Sequence, residues 1–391
     1  MPACPEHRHM DEVAFSAHVR ALAVAIRDRV AERTARTVLK DAERAREAVR
    51  IAMGTDDVTA RVPADEGYSL LDEDWRALVD AYRDDYRIDL LSFRSSDAAE
   101  AEAGLRDRHL GWIVARFTRG RRLPQPGRTA PPIRSLEEIA GTGPLIEVRR
   151  SEGGEIDVGL ASERLGDGML GAAVVADVGG VAAATTGWES ETSTRFRDEF
   201  LPRIPTAAGN QINVLRAMRN LLGLHQGLLT RAREDVDRIA HDGLEAIESH
   251  DDCCPGGADT FPTGLGLTTG VTALADGVAR LTGGGTGITL LGDGGGPLEG
   301  HVDDARRLTA AGVVGHELGG PTPEVIVEKI MTALDTTYRE LDRGYTEIGV
   351  NGLGALAKLM ADNPDLLRAP RPSTEEGTSA ATPGEPSDAA A

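Results

Sequence analysis

Between residues 207 and 247 the chain repeats with a period near 3.5, and this run constrains the fold more than any other stretch. Leu215, Met218, Leu222, His225, Leu229, Ala232, Val236 and Ile239 fall on alternating a and d positions. A repeat held over several heptads predicts one long helix packed along a partner helix. The opposite side carries Arg216, Arg219, Asn220, Arg231, Arg233, Glu234, Asp237 and Arg238 and is expected to face solvent. Gly209, Gly223, Gly227 and Gly243 each weaken such a helix by roughly 1 kcal/mol relative to Ala. The expected partner is the segment 160–184, where Leu160, Leu165, Met169, Leu170, Val174, Val175, Val178 and Val181 recur among Gly and Ala. Within it, residues 172–175 also read as a short buried strand.

The two segments meet at Gly187-Trp188-Glu189-Ser190, followed by Thr192, Ser193, Phe196 and Phe200. A Trp at a turn closes the open end of a helix pair, Ser190 can cap the next helix, and an aromatic two turns later can pack under the indole. This arrangement resembles the Trp-X-Gly helical-hairpin family of type VII secretion substrates, with Ser190 standing where the family usually has Gly. The resemblance covers a fraction of the chain around Trp188, Ser190, Phe196 and Phe200. It implies an antiparallel helical hairpin that pairs into a bundle, an actinobacterial source, and export without a classical leader. It also implies a Tyr-X3-Asp/Glu export signal. Tyr338 and Asp342 form the better match, Tyr68 and Asp72 the weaker, and Tyr338 lies far from the place the family pattern gives it.

Composition narrows the function classes. Aromatics make up 4 % of residues, which suits helix-on-helix packing better than a β-sandwich. A formal charge of −20 argues against nucleic acid as a partner. Lysine occurs only at Lys40, Lys329 and Lys358, the arginine-heavy usage of a GC-rich genome. The three cysteines, Cys4, Cys253 and Cys254, set no disulfide framework. There is no apolar run of transmembrane length, and residues 1–10 lack the apolar core of a signal peptide. A cytoplasmic origin is therefore expected, with any secretion by a signal-independent route.

Six regions follow along the chain. Residues 1–118 read as an N-terminal helical bundle, with helices expected at 11–53, 69–88 and 98–117. The proline-rich segment 119–133 reads as a linker. Residues 134–250 hold a β-hairpin turned at Gly153-Gly154, then the Trp188 hairpin. Residues 251–300 form a Gly-rich loop region, 301–368 C-terminal helices, and 369–391 a disordered tail. The fold class is mainly α: an antiparallel helical hairpin or bundle with a small β-hairpin and Gly-rich loops.

No motif carries a reaction. The glycines from Gly283 to Gly296 lack a nucleotide-binding spacing, and Gly320 stands where a zinc-protease helix needs its second His. His241, His250, Asp252, Cys253 and Cys254 show no paired ligand spacing, so neither metal nor cofactor is expected. His225, on the apolar seam, reads as a satisfied core histidine. The expected function is non-enzymatic: an exported or partner-binding protein acting by helix–helix association with a helical partner or itself, and therefore oligomeric. The alternative is a phage or envelope scaffold self-associating through the same hairpin. An enzyme with its site in the Gly283–Gly296 loop ranks last.

Overall fold

The computed structural model describes residues 10–54, 63–119, 123–142, 168–201, 203–249, 322–362 and 364–368, with Leu318 and Gly320. These residues are mainly helical, and no strand occurs among them. The expected β-hairpin, the Gly-rich region 251–300 and the tail 369–391 lie outside them. The chain divides into two compact units, Met1–Arg128 with His225–Thr272 and Ala305–Thr346, and Thr129–Leu224 with Ala273–Asp304 and Glu347–Ala391.

In the first unit, α1 (Glu12–Ala52) starts where the Asp11 carboxylate accepts the Ala14 N–H at 2.7 Å, and the chain leaves it at Gly54, φ +65°. Phe15, Val19, Ala23, Ile26, Val30 and Thr34 begin a buried stripe that Val38, Ala42, Ala45 and Val49 complete. Steps of three and four residues keep that stripe on one face. Val13, in the first turn, is exposed. The helix expected over 69–88 is two: α2 (Ala64–Leu70) and α3 (Glu73–Tyr86). Asp72 divides them, because its carboxylate takes the Trp75 N–H at 2.9 Å and so starts a new helix. Leu71, Val79, Leu90, Leu91 and Phe93 close over the end of α1. Then α4 (Ala98–Gly104) passes through a π-helical turn, Leu105–His109, into α5 (Gly111–Arg119).

The second unit opens with a correction. Segment 119–133, expected as a linker, contains a 3₁₀ turn, Pro126–Thr129, and the start of α6 (Ala130–Ala140). Pro131 and Pro132 lie in the first turn of that helix, where the missing N–H has no intrahelical partner to lose. After it come α7 (Met169–Ala184), a short α8 (Glu191–Arg195) and a π-helical turn, Phe196–Phe200. The long helix follows as α9 (Arg203–Ser249), one element of 47 residues as the period requires. Its residues up to Leu224 belong to the second unit and those from His225 to the first. In the first unit α10 (Pro323–Thr346) follows. In the second, a π-helical turn, Glu347–Gly354, leads to α11 (Ala355–Asp362) and α12 (Pro364–Leu367).

The surroundings of α9 depart from expectation. Within the first unit, α1 pairs Phe15 with Arg233, His18 with Asp237 and Arg33 with Glu248, so the two helices run in parallel. There α10 runs antiparallel, with Gly344 against Leu228 and Gly243 against Ile330. In the second unit Leu170 of α7 and Leu215 of α9 pack against the buried pair Ala140 and Ile212. The side expected to face solvent is enclosed: Arg216, Asn220, Arg231, Arg233 and Asp237 are buried. The apolar seam marked only one face. A second apolar row, Leu221, Leu224 and Leu228, is buried as well, so partners cover the helix from several directions.

Candidate functional site

Enclosed cations on α9 need acceptors, and they find backbone carbonyls. Arg216 donates from Nε to the Ala140 oxygen at 2.7 Å, and Arg219 to the Gly141 oxygen at 3.1 Å. Both carbonyls stand at the C-terminal end of α6, where unsatisfied oxygens and the helix dipole attract cations. In the first unit Arg233 bonds the Met10 and Leu123 oxygens and lies 4.6 Å from the centre of the Phe15 ring. The buried polar face of α9 therefore ties segment ends together, and it also carries acids. Burial pushes the Asp235 carboxyl up to about 7, against the opposing pull of Arg231. The Arg231 Nε lies 3.3 Å from Oδ1 without hydrogen-bond geometry, and neither carboxylate oxygen has a hydrogen-bond partner among the described residues.

One turn past Arg233, α9 presents Asp237 and His241 on a single face. The Asp237 side chain is 2 % exposed. His18 reaches it from α1, its Nε2 2.8 Å from Oδ1, and the His241 Nε2 lies 3.6 Å from the same oxygen. The imidazole centroids are 5.8 Å apart. Among the residues weighed as metal ligands from sequence, only His241 takes part, since 250–254 fall outside the described residues. His18 and Asp237 were missed because 219 residues separate them. The signal available was Asp237 and His241 at i, i+4, which places two donors on one helical face.

The second unit exposes apolar surface at the expected turn. Trp188 stands between α7 and α8, and Ser190 caps α8 by accepting the Ser193 N–H at 3.2 Å. The indole is 55 % exposed, and Phe196 stacks on Phe200 with centroids 5.0 Å apart. The indole is therefore open to water, and Phe196 pairs with an aromatic one turn on. Sequence reading overlooked Arg197, which donates to the Thr186 and Trp188 oxygens at 3.3 and 3.0 Å and holds the turn. Behind it, α7 reads MLGAAVVADVGGVAAA, with Asp177 its one charged side chain. Such a helix is normally enclosed. Here Met169, Val175 and Val181 are at least 40 % exposed, and Ala172, Ala176, Gly180 and Ala184 form an open row of small residues.

The remaining candidates are placed differently. Tyr338 and Asp342 sit on α10, both half-buried, and burial raises the Tyr338 phenol to about 12. His225 is half-buried, 5.5 Å from the Tyr345 ring centre, and its Nδ1 has no hydrogen-bond partner among the described residues, so it is not the satisfied core histidine expected. Burial lowers its pKa accordingly. The Gly283–Gly296 loop lies outside the described residues. No described helix is long and apolar enough to cross a membrane. The chain matches no family model, no curated protein and no solved structure.

Proposed function

We propose that this chain works by helix–helix association, with α7 and the Trp188 turn as its contact surface and α7 of a second copy as the occupant. The observation that carries this reading is a helix apolar around its circumference yet exposed along most of its length. Leaving Met169, Val175, Val181 and Trp188 in water forgoes about 25 cal/mol for each Å² that a partner would cover. An isolated surface Leu or Val is ordinary, but a contiguous apolar patch marks an interaction site. The row Ala172, Ala176, Gly180, Ala184 recurs every fourth residue, so two such helices can approach backbone to backbone. A two-fold pair places the same row on both sides, which makes the surface self-complementary.

Sedimentation velocity over a concentration series tests this. The wild type is expected to move from monomer to dimer, and Val175→Glu with Val181→Glu to stay monomeric with an unchanged helical circular dichroism spectrum. A wild type that remains monomeric at every concentration contradicts the reading.

The Trp188 turn with its Ser190 cap supports a second reading, in which the association serves export in the manner of type VII secretion substrates. On that reading Asp342→Ala retains the protein in the cell without lowering its melting temperature. Secretion of the variant at the wild-type level rejects it.

A further inference from the structure

We infer that His18, Asp237 and His241 form a binding site for one divalent first-row transition ion, zinc being the simplest occupant. The three offer one donor atom each, all within 4.8 Å of one another. Zinc binds imidazole nitrogen and carboxylate oxygen at about 2.0–2.2 Å, which sets neighbouring donors roughly 3–3.5 Å apart. The distances from Asp237 Oδ1 to the two Nε2 atoms, 2.8 and 3.6 Å, bracket that spacing. Small shifts of two side chains would complete the geometry.

The donor set selects the ion. Two imidazoles with one carboxylate suit zinc, iron, cobalt or nickel, whereas magnesium and calcium prefer oxygen alone. The scaffold is suited to hold them. Asp237 and His241 lie one turn apart on a helix of 47 residues, the i, i+4 arrangement by which a helix offers two ligands to one ion. His18 comes from the parallel helix α1, so an ion would cross-link α1 to α9 within the first unit. Asp237 is buried while the His241 side chain is 47 % exposed, which gives solvent a path to the donors. A plain His18–Asp237 ion pair accounts for the 2.8 Å contact. The i, i+4 spacing brings the second imidazole nitrogen to 3.6 Å from the same oxygen, so all three donors converge on one point.

The test uses the full chain after chelation and dialysis, titrated with zinc by calorimetry and with cobalt by visible ligand-field absorption, magnesium serving as control. Wild type is expected to bind one equivalent of zinc, to give cobalt bands of nitrogen–oxygen ligation, and to ignore magnesium. His241→Ala, at a half-exposed position that spares the fold, is expected to weaken zinc binding at least tenfold, as is His18→Ala. Circular dichroism verifies that both variants are folded. Absence of one-equivalent binding overturns the site. So does binding that survives in His18→Ala/His241→Ala at wild-type affinity, because the metal would then reside on other His and Cys residues.

Discussion

Asp235 is a carboxyl enclosed by its own helix and its neighbours, with Arg231 near but poorly aligned. Unfolded, it loses its proton near pH 4; folded, it keeps it to about 7. Folding between those values must carry a proton, so this group's stabilising contribution is full below pH 4 and declines as pH rises to 7. Asp235→Asn cannot ionise. Its melting temperature is expected to match wild type near pH 4 and exceed it at pH 8, a gap that thermal unfolding across pH reads directly. Arg216 makes the opposite case. Its guanidinium satisfies the Ala140 carbonyl from a position 2 % exposed, so Arg216→Ala leaves an acceptor without its donor and a void beside it. The expected loss is about 2–3 kcal/mol, measured by urea unfolding. Sequence periodicity could not show either environment. A charged residue off an apolar seam reads as solvated unless the segments that cover it are known, and 76 residues separate Ala140 from Arg216.

At the scale of elements, α9 separates what sequence reveals from what it hides. Its existence and length were legible because the apolar repeat runs unbroken, and α1 was legible as a helix over 11–53, although its Asp11 cap was not. The four glycines all looked like equal weaknesses, yet the packing distinguishes them. A Cβ on Gly243 would lie 2.6 Å from Cδ1 and 2.9 Å from Cγ1 of Ile330, itself wholly buried, whereas one on Gly227 meets nothing within 4 Å. Gly243→Ala is expected to cost about 1–3 kcal/mol through overpacking. Gly227→Ala is expected to gain up to about 1 kcal/mol from helix propensity alone. Opposite shifts of the chemical denaturation midpoint would verify the difference in packing, and equal shifts would refute it. The Trp188 turn was found by its residues. Its packing was not, since Arg197 and the Phe196–Phe200 stack depend on a π-helical turn that no simple period announces.

Across the molecule, charge and apolar surface oppose each other. A net charge of −20 repels a second copy, while on the proposed reading the exposed apolar face of α7 gains by meeting one. Salt screens the repulsion and leaves apolar contact intact, so dimerisation is expected to strengthen between low and moderate ionic strength, as light scattering can follow. The mainly helical class was legible from low aromatic content and helical periods. That α7 would be left uncovered was not, because an apolar helix in sequence looks the same whether enclosed or exposed. Hydrogen exchange of the amides in 169–184, followed across protein concentration, tests the association most directly. Exchange that slows in this segment as concentration rises, and stays fast in Val181→Glu, is the predicted result. Fast exchange independent of concentration in the wild type would contradict it.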